Sequence, residues 1–151
     1  MKFLIIGNKN AIVCKEIFKL IKEEKIWFGI SSPKKFELPD GKIKSMIGLC
    51  RWFTNLEYTK QYENLILYKE YNEEEYPKYD NYDAINVDKV KDIPMNYKGY
   101  MGVPITFMDK YNPEQFEIIG LDRYTGKNGD KDFTINGKLL YRRIIIKNKK
   151  I

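Results

Sequence analysis

The 151-residue chain has no histidine, only two cysteines, and no apolar run longer than a few residues. The lack of histidine removes the commonest general base and the commonest zinc ligand, so a histidine-based triad is excluded by inventory. Cys14 and Cys50 are not spaced as a metal knuckle, which leaves no metal site to expect. Both cysteines read as small buried hydrophobes in a reducing compartment. The opening Met1 to Gly7 is apolar over too few positions for a signal-peptide core or a membrane span. A soluble, cytoplasmic protein with no membrane partner is expected. Glycine-rich phosphate loops are also missing: Gly7-Asn8 has one glycine, and the stretch Gly99 to Gly102 follows no buried strand and precedes no helix.

What is present suits a packed domain. Hydrophobic residues make up 43%, charged residues 32% and aromatic residues 15%. That composition supports one core beneath a wet, charged surface, and a single domain over residues 1–151 is expected. The net charge of +6 permits attraction to a phosphate backbone. A biased genome that inflates Lys, Ile, Asn and Tyr gives the same figure, so the distribution of charge has to decide.

Phe3-Leu4-Ile5-Ile6, closed by Gly7-Asn8, predicts a strand buried on both faces. Over residues 11–25 the apolar period becomes helical, with Val13, Ile17, Leu20 and Ile21 on one side and Asn10 as the expected N-cap. Lys25 to Ile30 predicts a second strand, so residues 1–30 form a strand-helix-strand unit of an α/β sheet. In open sheets of this kind ligands bind beyond the carboxyl ends of strands, which makes Asn8, Lys9 and Asn10 the site-facing loop.

Residues 31–151 predict a β-rich remainder. Residues 31–48 read as a long exposed loop with a turn at Pro39-Asp40-Gly41. Residues 49–56 and 64–71 read as two strands that pair antiparallel. Further strands are expected at 84–87, 103–107, 116–121 and 139–147, with a turn at Thr125-Gly126-Lys127-Asn128-Gly129-Asp130. The acidic, tyrosine-rich residues 71–82 read as a solvated loop.

Few constellations carry chemistry. Asn112-Pro113 has the first half of the Asn-Pro-Pro-aromatic signature that holds a target amino nitrogen, but lacks the second proline and the aromatic. A turn or cap opened by Pro113 explains it with fewer assumptions. The basic residues include Lys9, Lys34, Lys35, Lys42, Lys44, Arg51 and, near the carboxyl end, Arg142, Arg143 and Lys147. Trp52 and Tyr141 offer stacking surfaces among them. Arg142 and Arg143 are adjacent in a strand, so they point to opposite faces. Lysines along a strand edge also serve to discourage aggregation, without any ligand.

The segments Lys2-Phe3-Leu4-Ile5-Ile6-Gly7-Asn8 and Trp52-Phe53-Thr54-Asn55-Leu56, with residues 76–90 and 101–120, resemble the EcoRI-type adenine-specific DNA methyltransferases. The likeness runs over nearly the whole chain and matches the carboxy-terminal part of that family. It implies a Rossmann-like methyltransferase sheet at the start, followed by a mostly antiparallel β region with target-binding character. It also implies transfer of a methyl group from S-adenosylmethionine to adenine N6 of a flipped base in duplex DNA. The donor loop and the Asn-Pro-Pro-Phe motif lie earlier in that family and have no counterpart here, so no catalytic and no cofactor-binding residue is expected in this chain. DNA contacts are expected from Asn8, Lys9, Asn10, Arg51, Trp52, Asn55, Arg142, Arg143 and Lys147.

Three functions follow from this reading. The first is a truncated or split piece of a restriction-modification methyltransferase, inactive without its missing half. The second is a methylase-derived binding protein, such as an anti-restriction or anti-CRISPR inhibitor of a protein or RNA complex. The third is a general nucleic-acid-binding domain. The first predicts exposed apolar surface on the Phe3 strand.

Overall fold

The computed structural model describes residues 1–124 and 131–151, with only the backbone described at Thr59 and Lys60. The turn expected at Thr125-Gly126-Lys127-Asn128-Gly129-Asp130 lies outside the described residues. The chain divides into two compact units, Met1–Gln61 and Tyr62–Ile151. Its architecture is mixed α/β, with mostly antiparallel sheets and few helices.

The first unit opens with strand β1 (Leu4–Asn8) and a 3-10 turn at Lys9–Val13. Helix α1 (Lys15–Lys22), β2 (Trp27–Phe28), β3 (Lys35–Glu37), β4 (Ile43–Ser45) and β5 (Cys50–Thr54) follow. The helix expected from residue 11 therefore starts four residues late. Asn10 does not cap it: the N-cap position of α1 is Cys14, without a side-chain capping bond, while Asn8 caps the preceding 3-10 turn, its side chain accepting the Asn10 N–H at 2.9 Å. Cys14, extended at ψ 132°, then separates that turn from α1. The helix buries Phe18 and Ile21, three apart on one face, and turns its lysines outward.

β5 lies in the middle of a three-stranded sheet and runs antiparallel to both β1 and β2. β1 and β2 are thus parallel to each other but not neighbours. The pairing expected between β5 and residues 64–71 does not form. Instead Phe53 of β5 packs edge-to-face on Phe28 of β2, centroids 5.1 Å apart, and buries both rings. Such a pair adds about 0.5–1.5 kcal/mol to the burial itself.

β1 differs from expectation in burial. Leu4, Ile5 and Ile6 are 52%, 57% and 42% exposed, and among the described residues no strand pairs with the side of β1 away from β5. Residues 31–48 are not wholly loop: β3 and β4 pair as a hairpin around the expected Pro39-Asp40-Gly41 turn. Cys50 is buried as expected, whereas Cys14 is exposed at the start of α1.

The second unit centres on a four-stranded sheet in the order β6 (Ile85–Asn86), β7 (Met101–Pro104), β11 (Arg143–Asn148), β8 (Phe116–Leu121). β6 and β7 are parallel and the other pairs antiparallel. A small hairpin of β9 (Thr134–Ile135) and β10 (Lys138–Leu139) precedes β11. Ile144, Ile145 and Ile146 are all fully buried, which requires cover on both faces of β11. Tyr79, Tyr82, Ala84 and Phe133 gather around Ile145, and Phe133 stacks on Tyr82 at 4.9 Å.

Two strand expectations fail here for identifiable reasons. The strand expected over 103–107 stops at Pro104, which has no N–H to continue a ladder, and the chain turns into a 3-10 helix at Ile105–Asp109. Residues 64–71 form no strand beyond an isolated Lys69–Pro94 bridge. The buried Gln115 amide takes both backbone groups of Leu65 instead, accepting its N–H at 2.6 Å and donating to its carbonyl at 2.8 Å. No described helix is long and apolar enough to cross a membrane.

Candidate functional site

In the first unit the register of β1 on β5 sets Asn8 opposite Cys50, Gly7 opposite Arg51 and Ile6 opposite Trp52. Asn8, Lys9, Asn10, Arg51 and Trp52 therefore gather toward one end of the three-stranded sheet. The Lys9 N–H donates to the Leu49 carbonyl at 2.8 Å, which fixes the turn to the start of β5. The Arg51 guanidinium donates to the Cys50 carbonyl at 2.9 Å and stands over the Phe28 ring at 6.0 Å. Trp52 is half-buried.

Asn55 lies at the opposite end of β5. Its side-chain oxygen accepts the Phe3 N–H at 3.0 Å and its amide nitrogen donates to the Met1 carbonyl at 2.7 Å. Beside it, the buried Thr54 hydroxyl donates to the Phe3 carbonyl at 2.6 Å. The entry into β1 is thus held by Thr54 of β5 and by Asn55 just past its end.

In the second unit the two arginines enter different networks, and β11 begins only at Arg143, so Arg142 lies just outside the strand expected to hold both. Arg142 donates to Asp132 at 2.9 Å and stands 3.6 Å from Asp122, whose side chain is 1% exposed. Arg123 grips the same Asp132 through Nε and Nη2, both at 3.1 Å. These contacts hold the Asp132 carboxyl below its ordinary value, the Arg123 hydrogen bond first. Burial pushes Asp122 the other way, above the usual carboxyl value, opposed by the Arg123 N–H and by Arg142.

Arg143 donates to Asn86 Oδ1 at 3.1 Å, and the same oxygen accepts the Tyr79 hydroxyl at 2.8 Å. The Asn86 amide nitrogen passes on to Asp88 at 2.7 Å. Burial raises the Tyr79 phenol, so it stays a neutral donor. Lys147 is exposed on β11 and faces Glu117 across the β8 pairing. Of the three basic residues of this unit named as DNA contacts from sequence, Lys147 projects its charge outward and both arginines are mostly covered, at 17% and 11% side-chain exposure.

Asn112 takes the structural part expected of it. It is fully buried, accepts the Glu114 N–H at 2.9 Å, and donates to the Tyr62 carbonyl at 2.9 Å and Asn64 at 3.1 Å. Among the described residues no three His, Cys, Asp or Glu side chains gather as metal ligands. The arrangement offers hydrogen-bonding and charged surface, with an open strand edge in the first unit. Sequence reasoning missed Asp122 and Asp132 as partners of Arg142. The available signal was an acid directly after the buried strand 116–121, where a charge demands a counter-ion.

The family model described as adenine-specific methyltransferase EcoRI matches residues 1–149. The chain is 48% identical to the type II methyltransferase M.EcoRI of Escherichia coli, over 99% of this chain and 51% of that protein. It is 35% identical to type II methyltransferase M.MpnI of Mycoplasma pneumoniae, over 98% of this chain and 57% of that protein. With M.MgeORF184P of Mycoplasma genitalium it shares 34%, over 99% and 58%. The chain spans a little over half the length of these relatives. No solved structure matches it.

Proposed function

The chain belongs to the EcoRI-type adenine-specific methyltransferases, and we propose that it is the carboxy-terminal part of such an enzyme, inactive by itself, which completes the sheet of an amino-terminal catalytic part and contributes DNA contacts. The observation that carries this is the open edge of β1. Three consecutive apolar side chains, Leu4, Ile5 and Ile6, stand about half exposed on a strand that, among the described residues, is paired on one side only. An unpaired apolar strand edge is a template for another strand. The parallel relation of β1 and β2, joined through α1 with β5 between them, supports reading this unit as one side of a Rossmann-like sheet.

The described residues do not fit S-adenosylmethionine. After β1 the backbone turns through Asn8, whose own side chain takes the Asn10 N–H, and no glycine follows in the 3-10 turn. No chemical step is therefore derived for this chain. Of the candidate DNA contacts, Asn8, Lys9, Asn10, Arg51 and Trp52 are assigned to the DNA side by their place together at one end of the first sheet, and Lys147 by its exposure. Asn55, which holds the entry into β1, and Arg142 and Arg143, whose side chains are mostly covered, are assigned to positioning.

The test is reconstitution. The chain is mixed with the amino-terminal part of the Escherichia coli relative, and donor binding is followed by calorimetry, with methyl transfer measured on duplex DNA. Donor binding and transfer by the mixture, and neither by the chain alone, is the expected result. Donor binding by the chain alone, or no complex in the mixture, overturns the reading. A chain that ignores the amino-terminal part but captures one protein or RNA partner fits the inhibitor reading instead.

A further inference from the structure

The β3–β4 hairpin projects charge in a pattern that the sheet-completing role does not use. Pairing of Phe36 with Lys44 and Glu37 with Ile43 fixes which side chains share a face. Lys34, Phe36, Leu38, Lys42 and Lys44 lie on one face. Lys35, Glu37, Ile43 and Ser45 lie on the other. The first face thus carries three lysines and no acid. Asp40 sits in the turn and pairs with Lys42 at 3.5 Å. Among the described residues no carboxylate lies within ion-pair distance of Lys34, Lys35 or Lys44.

The hairpin turn is also closed by its own hydrogen bonds, and the hairpin buries little. Leu38 N–H donates to the Lys42 carbonyl and Gly41 N–H to the Leu38 carbonyl, both at 2.8 Å, while Asp40 Oδ1 accepts the Lys42 N–H at 3.0 Å. Gly41 supplies the φ of +78° that the turn requires. Every residue of the two strands is exposed except Phe36, which is half-buried, and Leu38 and Ile43 stand 40% and 61% open. Lysines placed only to prevent strand pairing would not need to share a face, nor to flank exposed apolar residues at the tip.

We infer that this hairpin is a nucleic-acid-reading ribbon that enters the major groove of duplex DNA, with Lys34, Lys42 and Lys44 on phosphates and the Leu38 tip against base edges. A two-stranded ribbon, with strands about 4.8 Å apart plus side chains, fits a groove about 12 Å wide. Cations along its length meet phosphates, and apolar side chains at its tip meet thymine methyl groups. A turn already fixed by its own hydrogen bonds loses little freedom on insertion. The inference rests on the proposed role in a DNA-modifying enzyme and adds the element that meets the substrate.

The experiment measures binding of the full chain to fluorescent duplex DNA by anisotropy across salt concentrations. Each phosphate contact contributes about 0.9 to the slope of log affinity against log salt. The K34A/K44A double variant should lower affinity and reduce that slope by about 1.8, so the loss between 50 and 200 mM salt becomes about tenfold smaller. K34R/K44R should restore the slope, and K19A on the outer face of α1 should leave it unchanged. An unchanged slope in K34A/K44A overturns the inference, as does an equal loss on single-stranded RNA or a wild-type chain that binds no duplex. In each of those cases reconstitution with the amino-terminal part still judges the proposed function independently.

Discussion

Asn55 fastens Phe3: one side-chain amide accepts the Phe3 N–H and donates to the Met1 carbonyl, so the entry into β1 is held by a residue just past the end of β5. Asn55→Ala removes both bonds and leaves Phe3 N–H to water. A loss of about 1–2 kcal/mol is expected, with faster amide exchange confined to the first residues of β1. Urea unfolding and exchange mass spectrometry measure the two. Unchanged protection at Phe3 and Leu4 would count against the clamp.

The open β1 edge predicts association of the isolated chain. Analytical ultracentrifugation should detect concentration-dependent self-association. Ile5→Lys, at a site 57% exposed, should return the chain to monomer with little loss of stability, because a charge on an edge strand opposes pairing. The same variant should fail to combine with the amino-terminal part. A wild-type chain that stays monomeric at high concentration and a variant that still reconstitutes would together remove the edge from the argument.

Gly102 leaves no room beside Tyr79. A Cβ there would collide with the Tyr79 hydroxyl and come within 2.6 Å of the ring carbon bearing it. Gly102→Ala should destabilise the second unit by about 1–3 kcal/mol, measured by thermal unfolding. Tyr79→Phe in the same chain should recover part of that loss, since the hydroxyl is the nearest obstacle. Full additivity of the two changes is the outcome that refutes this packing.

Arg142→Ala leaves Asp122 buried with its nearest cation gone. Breaking one partner of a buried pair costs about 3–5 kcal/mol, and exposure of Asp132 places this case toward the lower end. Burial already raises the Asp122 carboxyl, so its folded form binds a proton more readily than the unfolded chain. Its contribution therefore improves as pH falls through its folded value, and Arg142→Ala should be less damaging in acid than at neutral pH. Asp122→Asn in the Arg142→Ala background should recover stability at pH 7.

Asp80 behaves in the opposite sense. It accepts the Gly137 N–H at 2.9 Å, the Thr134 hydroxyl at 2.9 Å and the Asn136 N–H at 3.0 Å, which together hold its carboxyl below the ordinary value. Stability from such a group is present above the unfolded pKa and lost as pH falls through the folded one. The β9–β10 hairpin should loosen below about pH 4, and the gap between wild type and Asp80→Asn should close there. Nuclear magnetic resonance of the Gly137 amide through an acid titration follows it directly.

The sequence by itself determined the family, through matches spread over residues 1–149, and many of the local elements. The run Phe3-Leu4-Ile5-Ile6 leads into a strand at Leu4 because four consecutive apolar residues leave few alternatives, Phe116–Leu121 forms as expected, and Pro39-Asp40-Gly41 turns because its residues favour that backbone. Tertiary structure decided the partners. Local pattern carries no record of which strand lies beside which, so the insertion of β5 between β1 and β2 was not legible. The apolar run at residues 65–68 could be read as a strand until the Gln115 amide, about fifty positions away, took the backbone bonds of Leu65. Arg142 and Arg143 looked like surface cations because charge in a sequence has no burial attached to it. Only the fold brings Asp122, Asp132 and Asn86 within reach and turns both arginines inward. The open edge of β1 belongs to both levels: the apolar residues are written in the chain, and their exposure follows from a sheet that pairs them on one side.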